Sequence, residues 1–263
     1  MADEVLYEVR DRVATLTINR PEVRNALSPQ ALEALCEAFQ RAAGDPEAHA
    51  VLLTGAGDRA FSAGADMSGG KSGTFADPKS FEAYEMRGGF TRLFSAMHAC
   101  PRPIIGVVRG YCLAGGFGVA LACDLLLAGE SARFGTPEVR RGLFPMMIFA
   151  EIVRNVGLKR AMELVLLGEL VDAHAAERMG FVNRVVPDTE LAAAADELAA
   201  RLAGYSPAVL GLGKRACYTA ADMTFPQALE FLRSQLSVNL LTEDAAEGLD
   251  AFREKRDPVF RGR

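Results

Sequence analysis

The chain has 263 residues, half of them hydrophobic, so it can bury a large core as one big domain or as a domain with an appendage. Its net charge of -5 argues against a general nucleic-acid surface but allows a local basic patch for a phosphate-bearing group, and Arg and Lys cluster near the C-terminus. Five cysteines (Cys36, Cys100, Cys112, Cys123, Cys217) are odd in number and lack C-x-x-C spacing, which excludes a disulfide frame and reads as reduced core residues of a cytoplasmic protein.

Val5 to Val9 and Val13 to Asn19 are β-rich and joined by a short polar turn, which predicts a hairpin ended by Pro21. Ser28-Pro29 supplies an N-cap followed by proline at the first helical position, and Leu32, Leu35, Cys36 and Phe39 follow at helical spacing. Val51-Leu52-Leu53 reads as a buried strand ending in Gly55-Ala56-Gly57. The polar, glycine-rich stretch 68–79 predicts a mobile loop, and 80–98 a helix weakened at Gly88-Gly89. Strands are expected at Ile104–Val108, Leu125–Ala128 and Phe181–Val186, a rhythm of strand, strand and helix that implies α/β layering with parallel crossovers. After Pro187 the pattern turns helical, at 189–203, 207–220, 226–241 and 243–255. We divide the chain accordingly, into a core at 1–200 and a helical region at 201–263. The apolar face of that region (Leu229, Phe231, Leu232, Leu236, Leu240, Leu241) fits packing on another subunit or on its own core. No apolar run reaches the ~18 residues of a membrane span. The acidic Met1-Ala2-Asp3-Glu4 lacks the character of an export or import signal.

Two small-residue breaks carry the chemistry. The first is Phe61-Ser62-Ala63-Gly64-Ala65-Asp66; the second, Leu113-Ala114-Gly115-Gly116-Phe117-Gly118, opens an apolar helical run. Turns of this kind let bare backbone N–H groups approach a ligand. Two such groups aimed at one carbonyl oxygen form an oxyanion hole, and a nearby carboxylate, here Glu138 in Phe134-Gly135-Thr136-Pro137-Glu138, can move protons on the adjacent carbon. Taken singly, the second break also fits a tight helix–strand crossing, and Glu138 a solvated surface residue. Gly55-Ala56-Gly57-Asp58-Arg59-Ala60 imitates the dinucleotide fingerprint, but Phe61 to Gly64 breaks up the helix that should follow. Ser62 is outside G-x-S-x-G, Cys112 reads as a small core residue, and His49, His98 and His174 lack metal-ligand spacing.

Five segments in order resemble the crotonase (enoyl-CoA hydratase/isomerase) superfamily. They are Asn19-Arg20-Pro21 with Arg24-Asn25-Ala26-Leu27, Ala60 to Met67, Gly110 to Gly116 through Cys123-Asp124, Phe134 to Glu138, and Phe252 to Phe260. The resemblance implies a spiral of ββα units and a C-terminal helical trimerisation region, often assembled as a dimer of trimers. It implies an acyl-CoA thioester as substrate, with CoA entering as part of the substrate and no separate cofactor, and no nucleic-acid or membrane partner. By family position Ala65 and Gly115 would supply the oxyanion-hole amides and Glu138 the acid/base. Ala63, Asp66 and Met67 would cradle the adenine and pantetheine, Arg24 would flank the CoA path, and Lys255 would reach the CoA phosphates from a neighbouring subunit.

Two departures from the family pattern matter. Its hydratases carry a glutamate where this chain has Gly118, and its usual Pro-Gly-x-Gly-Gly is replaced by Pro145-Met146-Met147-Ile148-Phe149. Hydration divides water orientation and proton delivery between two carboxylates, each positioned group contributing ~10²–10⁴-fold. One carboxylate suffices to shift a double bond, so isomerase-type chemistry is expected ahead of hydration, and an acyl-CoA-binding homologue without catalysis is the alternative of another class. The bulkier wall at 145–149 favours an aliphatic acyl chain. Glu151 is the remaining candidate for a second carboxylate, although its place in an apolar helix start suits a structural role.

Overall fold

The structure is a computed structural model that describes residues 3–67 and 80–263, the side chains of Glu82 and Met86 excepted. The loop expected at 68–79 lies outside the described residues. Strands β1 (Val5–Arg10) and β2 (Val13–Ile18) form the predicted antiparallel hairpin. Its two-residue turn, Asp11-Arg12, has positive φ at both positions (49° and 65°), the backbone that matches strand twist. Helix α1 (Pro29–Gly44) starts as expected, with the Ser28 hydroxyl accepting from the Ala31 N–H at 2.9 Å. Strands β3 (Ala50–Gly55), β5 (Ile104–Val108), β7 (Leu125–Gly129) and β10 (Arg184–Val186) complete a six-stranded sheet in the order β1-β2-β3-β5-β7-β10, parallel from β2 onward. The last strand is shorter than the predicted Phe181–Val186, because Phe181 turns into the core.

A second sheet is not foreseen by the sequence pattern. Three-residue strands β4 (Ala60–Ser62), β6 (Tyr111–Leu113), β8 (Arg133–Gly135) and β9 (Leu170–Asp172) run in that order, with β9 antiparallel to β8. Each of β3, β5 and β7 thus feeds a short strand of the second sheet before the next helix, the repeating ββα unit of a spiral. Helix α2 (Phe81–Ala99) runs unbroken through Gly88-Gly89, against expectation. A Cβ on Gly89 would lie 3.0 Å from Leu32, so that glycine serves the close approach of α2 to α1. Helix α3 (Gly115–Leu121) follows β6. Helix α4 (Met146–Leu167) is kinked at Gly157, whose φ is 71°. The aromatic rings of Phe117, Phe134 and Phe181 meet with centroids 5.3–5.8 Å apart and lock α3 to β8.

Helix α5 (Ala173–Met179) precedes β10, and α6 (Leu191–Ala203) packs Leu191, Ala194, Ala195 and Ala199 onto Leu52, Ile105, Val107 and Leu127 of the large sheet. Helices α7 (Pro207–Ala221), α8 (Phe225–Asn239) and α9 (Glu243–Glu254) then follow close to their predicted limits. Leu229, Leu232, Leu236, Leu240 and Leu241 remain exposed in the single chain. Buried Asp244 ties the chain end down: its carboxylate accepts from Ser206 Oγ (2.5 Å) and from the Arg261 and Gly262 N–H groups (2.7 and 2.8 Å).

Candidate active site

Parallel strands β4, β6 and β8 are neighbours, so their carboxyl ends lie side by side, the usual place for a ligand site in an α/β sheet. All three chemical motifs leave from those ends. Ala63-Gly64-Ala65 follows β4, Ala114-Gly115 follows β6, and Thr136-Pro137-Glu138 follows β8. A topology of short strands therefore gathers residues some 75 positions apart into one place.

The two breaks touch. Gly64 has φ +93°, and a Cβ there would lie 2.7 Å from Ala114 Cβ and 3.0 Å from the Gly115 nitrogen, so only glycine fits. Leu27 N–H donates to Gly64 O at 2.7 Å and Asp66 N–H donates to Leu27 O at 2.9 Å. The Ala65 N–H between them is left without a bond to a described residue. The Gly115 N–H is likewise unbonded, as a first-turn amide of α3. Ala114 holds φ 51° and ψ -129°, a conformation disfavoured for alanine, and is fixed there by its own N–H donating to Gly135 O at 2.9 Å. Strain of this kind persists only where its surroundings impose it.

Glu138 sits in a 3₁₀ segment, Pro137–Arg141. Buried Thr136 anchors its start by donating to Leu164 O at 2.8 Å, and Leu143 N–H donates to Glu138 O at 3.1 Å. Glu138 Oε2 is buried and has no hydrogen-bond partner among the described residues. Burial pushes the Glu138 carboxyl above the ordinary glutamate range, while its own backbone N–H and the Arg141 guanidinium pull less strongly the other way.

A cavity of about 250 Å³ joins these parts. Ala63, Ala65, Met67, Gly115 and Glu138 of the sequence-derived site line it, together with Phe90, Leu143, Phe144 and the Met146–Ile148 wall. Asp66, Arg24 and Lys255 do not. Asp66 is buried and paired with Arg20 at 2.8 Å; the same guanidinium meets Glu4 at 3.2 Å and donates to Ala26 O at 2.5 Å. Arg24 is exposed and offers its carbonyl to the Ala63 N–H at 3.0 Å. Lys255, exposed, ends α9 in the left-handed conformation. Glu151 also lies off the cavity, buried 3.4 Å from His98, whose ring stacks on Tyr218.

Position 118 is sterically closed. A Cβ on Gly118 would meet Ile148 Cβ at 2.9 Å and Phe94 Cζ at 3.0 Å, with Ile148 Cγ2 nearer still. The cavity therefore holds one carboxylate among the described residues, Glu138. Sequence reasoning missed Phe90, whose Cε1 would lie 2.6 Å from a Cβ on Gly115, and the pocket arginines Arg87 and Arg141. No helical period singles these out, because the wall is assembled from two distant segments. The rejected motifs stay rejected. Residues 56–59 bend directly from β3 into β4 with no helix, and Cys112 is fully buried, its thiol pushed well above the usual range by desolvation.

Adjacent strand ends, two amides without a partner among the described residues and one buried carboxylate meet at this cavity. The enoyl-CoA hydratase/isomerase family model matches residues 8–263. A probable enoyl-CoA hydratase of Mycobacterium tuberculosis is 36% identical over 98% of both chains. A short-chain-enoyl-CoA hydratase of Clostridium acetobutylicum is 33% identical over 97% of this chain and 96% of its own. The crystal structure of an enoyl-CoA hydratase from Mycobacterium smegmatis superposes with a TM-score of 0.91 at 33% identity, covering 98% of each chain. The chain belongs to the enoyl-CoA hydratase/isomerase family of the crotonase superfamily.

Proposed function

We propose that this family enzyme acts on an enoyl-CoA thioester by shifting its double bond, with Glu138 as the single acid/base. The observation that carries the reading is the single carboxylate among the described residues: Glu138 lines the cavity with a buried oxygen that has no partner among them, while Ile148 and Phe94 fill the space a side chain at 118 would need. The Ala65 and Gly115 N–H groups donate to the thioester oxygen. Ionised Glu138 removes a proton from C2 of a 3-enoyl thioester. The electron pair delocalises through the carbonyl as a dienolate, and the same carboxyl returns the proton to C4, leaving the 2-enoyl isomer. Each hole donor contributes about 3–4 kcal/mol in sites of this type. A raised carboxyl pKa suits the task, because a base closer in pKa to the carbon acid transfers its proton with less cost.

Hydration of a 2-enoyl-CoA is the second reading, favoured by the hydratase names of the relatives at 36% and 33% identity. Incubation with 3-enoyl- and 2-enoyl-CoA separates the two: an isomerase interconverts them, whereas a hydratase accumulates a 3-hydroxyacyl thioester. Glu138→Gln is expected to abolish either conversion while CoA-thioester binding survives. Unchanged turnover in that variant refutes the assignment, and binding without conversion in the wild-type protein marks a non-catalytic homologue. A trimer or dimer of trimers built on the exposed leucines of α8 belongs to the same proposal, with the sedimentation coefficient as its measure.

A further inference from the structure

Two arginines, half-buried Arg87 and exposed Arg141, line the acyl cavity, and the reaction above gives neither a contact with the acyl group. Half-buried Arg87 lies on α2 one turn before Phe90, the ring seated at Gly115. Four residues along the same helical stripe, the Thr91 hydroxyl contacts Met147 Sδ at 3.9 Å, so this stripe faces the Met146–Ile148 wall. Arg141 closes the 3₁₀ segment that Pro137 opens. Residues three apart eclipse in a 3₁₀ helix, which puts Arg141 on the side of Glu138.

Among the described residues, neither guanidinium has an ion pair or a hydrogen bond. The other half-buried arginines differ from Arg87: Arg20 pairs with Glu4 and Asp66, Arg102 donates to Asp45 O, and Arg109 donates to Asp188 O, whereas Arg141 is exposed at the cavity mouth. Between Arg87 and Arg141 the cavity is walled by Phe90, Leu143, Phe144, Met146 and Met147. Cations beside such a wall are partly stripped of water and gain most from an anion held between them.

Resting on the enoyl-CoA reading, we propose that the acyl chain of the substrate carries a second anionic group, a carboxylate at its far end, and that Arg87 and Arg141 hold it. Both arginines stand within a turn of groups at the reacting centre. The phosphates of CoA are separated from the thioester by the whole pantetheine arm, so a distal carboxylate of the acyl chain is the anion that this position fits. The arrangement also screens the ligand's carboxylate from ionised Glu138. The apolar wall that the sequence assigns to an aliphatic chain then contacts the methylenes between thioester and carboxylate.

The test needs no turnover. Saturated four-, six- and eight-carbon acyl-CoA thioesters, each with a methyl end or a terminal carboxylate, are titrated calorimetrically into the wild-type protein and into Arg87→Met, Arg141→Met and Arg141→Lys. The carboxylated ligand is expected to bind about tenfold to hundredfold tighter than its methyl-ended partner at one length or more. That ratio should fall toward one in both methionine variants and persist in part in the lysine variant. A wild-type ratio of one or less at every length overturns the proposal, as does a ratio that survives both methionine substitutions. If no thioester binds the wild-type protein at all, the acyl-CoA reading itself falls, and the distal carboxylate with it.

Discussion

Replacing Gly118 by alanine tests whether the vacant glutamate position is closed by packing. In an ordinary helix this change stabilises by about 0.5–1 kcal/mol, because glycine loses more freedom on folding. Here the new methyl would sit 2.9 Å from Ile148 Cβ and 3.0 Å from Phe94 Cζ, with Ile148 Cγ2 closer still, and all three atoms belong to a buried core. Overpacking of this kind costs about 1–3 kcal/mol, so the sign of the effect should reverse. Ile148→Ala removes the closest atom at a cost of its own, about 2–5 kcal/mol for the cavity left behind. In that background the second contact at 2.9 Å survives and a few tenths of an ångström must still be found, so Gly118→Ala should remain costly but cheaper by roughly 1 kcal/mol. Urea unfolding of the four proteins gives the coupling directly. If Gly118→Ala stabilises, or costs the same in both backgrounds, steric closure of this position is wrong and a glutamate there would be tolerated.

Three further outcomes are expected. Because burial raises the Glu138 carboxyl above its ordinary 4.5, kcat/KM of the wild-type enzyme should rise with pH through a midpoint above that value; a midpoint at or below it contradicts the buried-base geometry. The same shift is a stability statement: the penalty of ionised, buried Glu138 is absent below the ordinary 4.5 and grows as pH rises through the folded value, so Glu138→Gln should melt higher than wild type at neutral pH and equally at pH 4. For Asp244, burial works to raise the carboxyl, but the Ser206 hydroxyl and the tail N–H groups outweigh it and hold it below the usual 3.8. Asp244→Asn should therefore cost about 1.5–3 kcal/mol at neutral pH, with the gap to wild type closing as pH falls below ~4.

The large sheet and the C-terminal helices are legible in the sequence because their periods are long enough to read: β2 alternates over six residues, and α7 to α9 each open at or beside a recognisable cap or proline. The second sheet is not, since three residues per strand leave no period, and Ala60–Ser62 or Tyr111–Leu113 read as parts of loops. Helix α4 is legible only as an apolar helix start around Glu151, for another reason. It is apolar on most sides and changes direction at Gly157, so no single stripe runs through it. Glycine breaks were legible as places where backbone meets ligand, but their meeting depends on the unread sheet. Asp66 shows a different limit: the sequence motif does not reveal that its carboxylate pairs with Arg20, some 46 positions earlier.

The Arg20 hub has a practical side. Glu4 contacts both Arg20 and the Ser28 hydroxyl, and Asn19 reaches back to Asp3 O at 3.2 Å, so Asp3 and Glu4 are stitched to the segment whose Leu27 pairs with Gly64 and Asp66. A truncation or a fusion joined directly at this end would be felt at the Ala65 turn, some sixty residues away in the chain. An affinity handle placed there needs a spacer long enough to leave Asp3 and Glu4 in their native contacts.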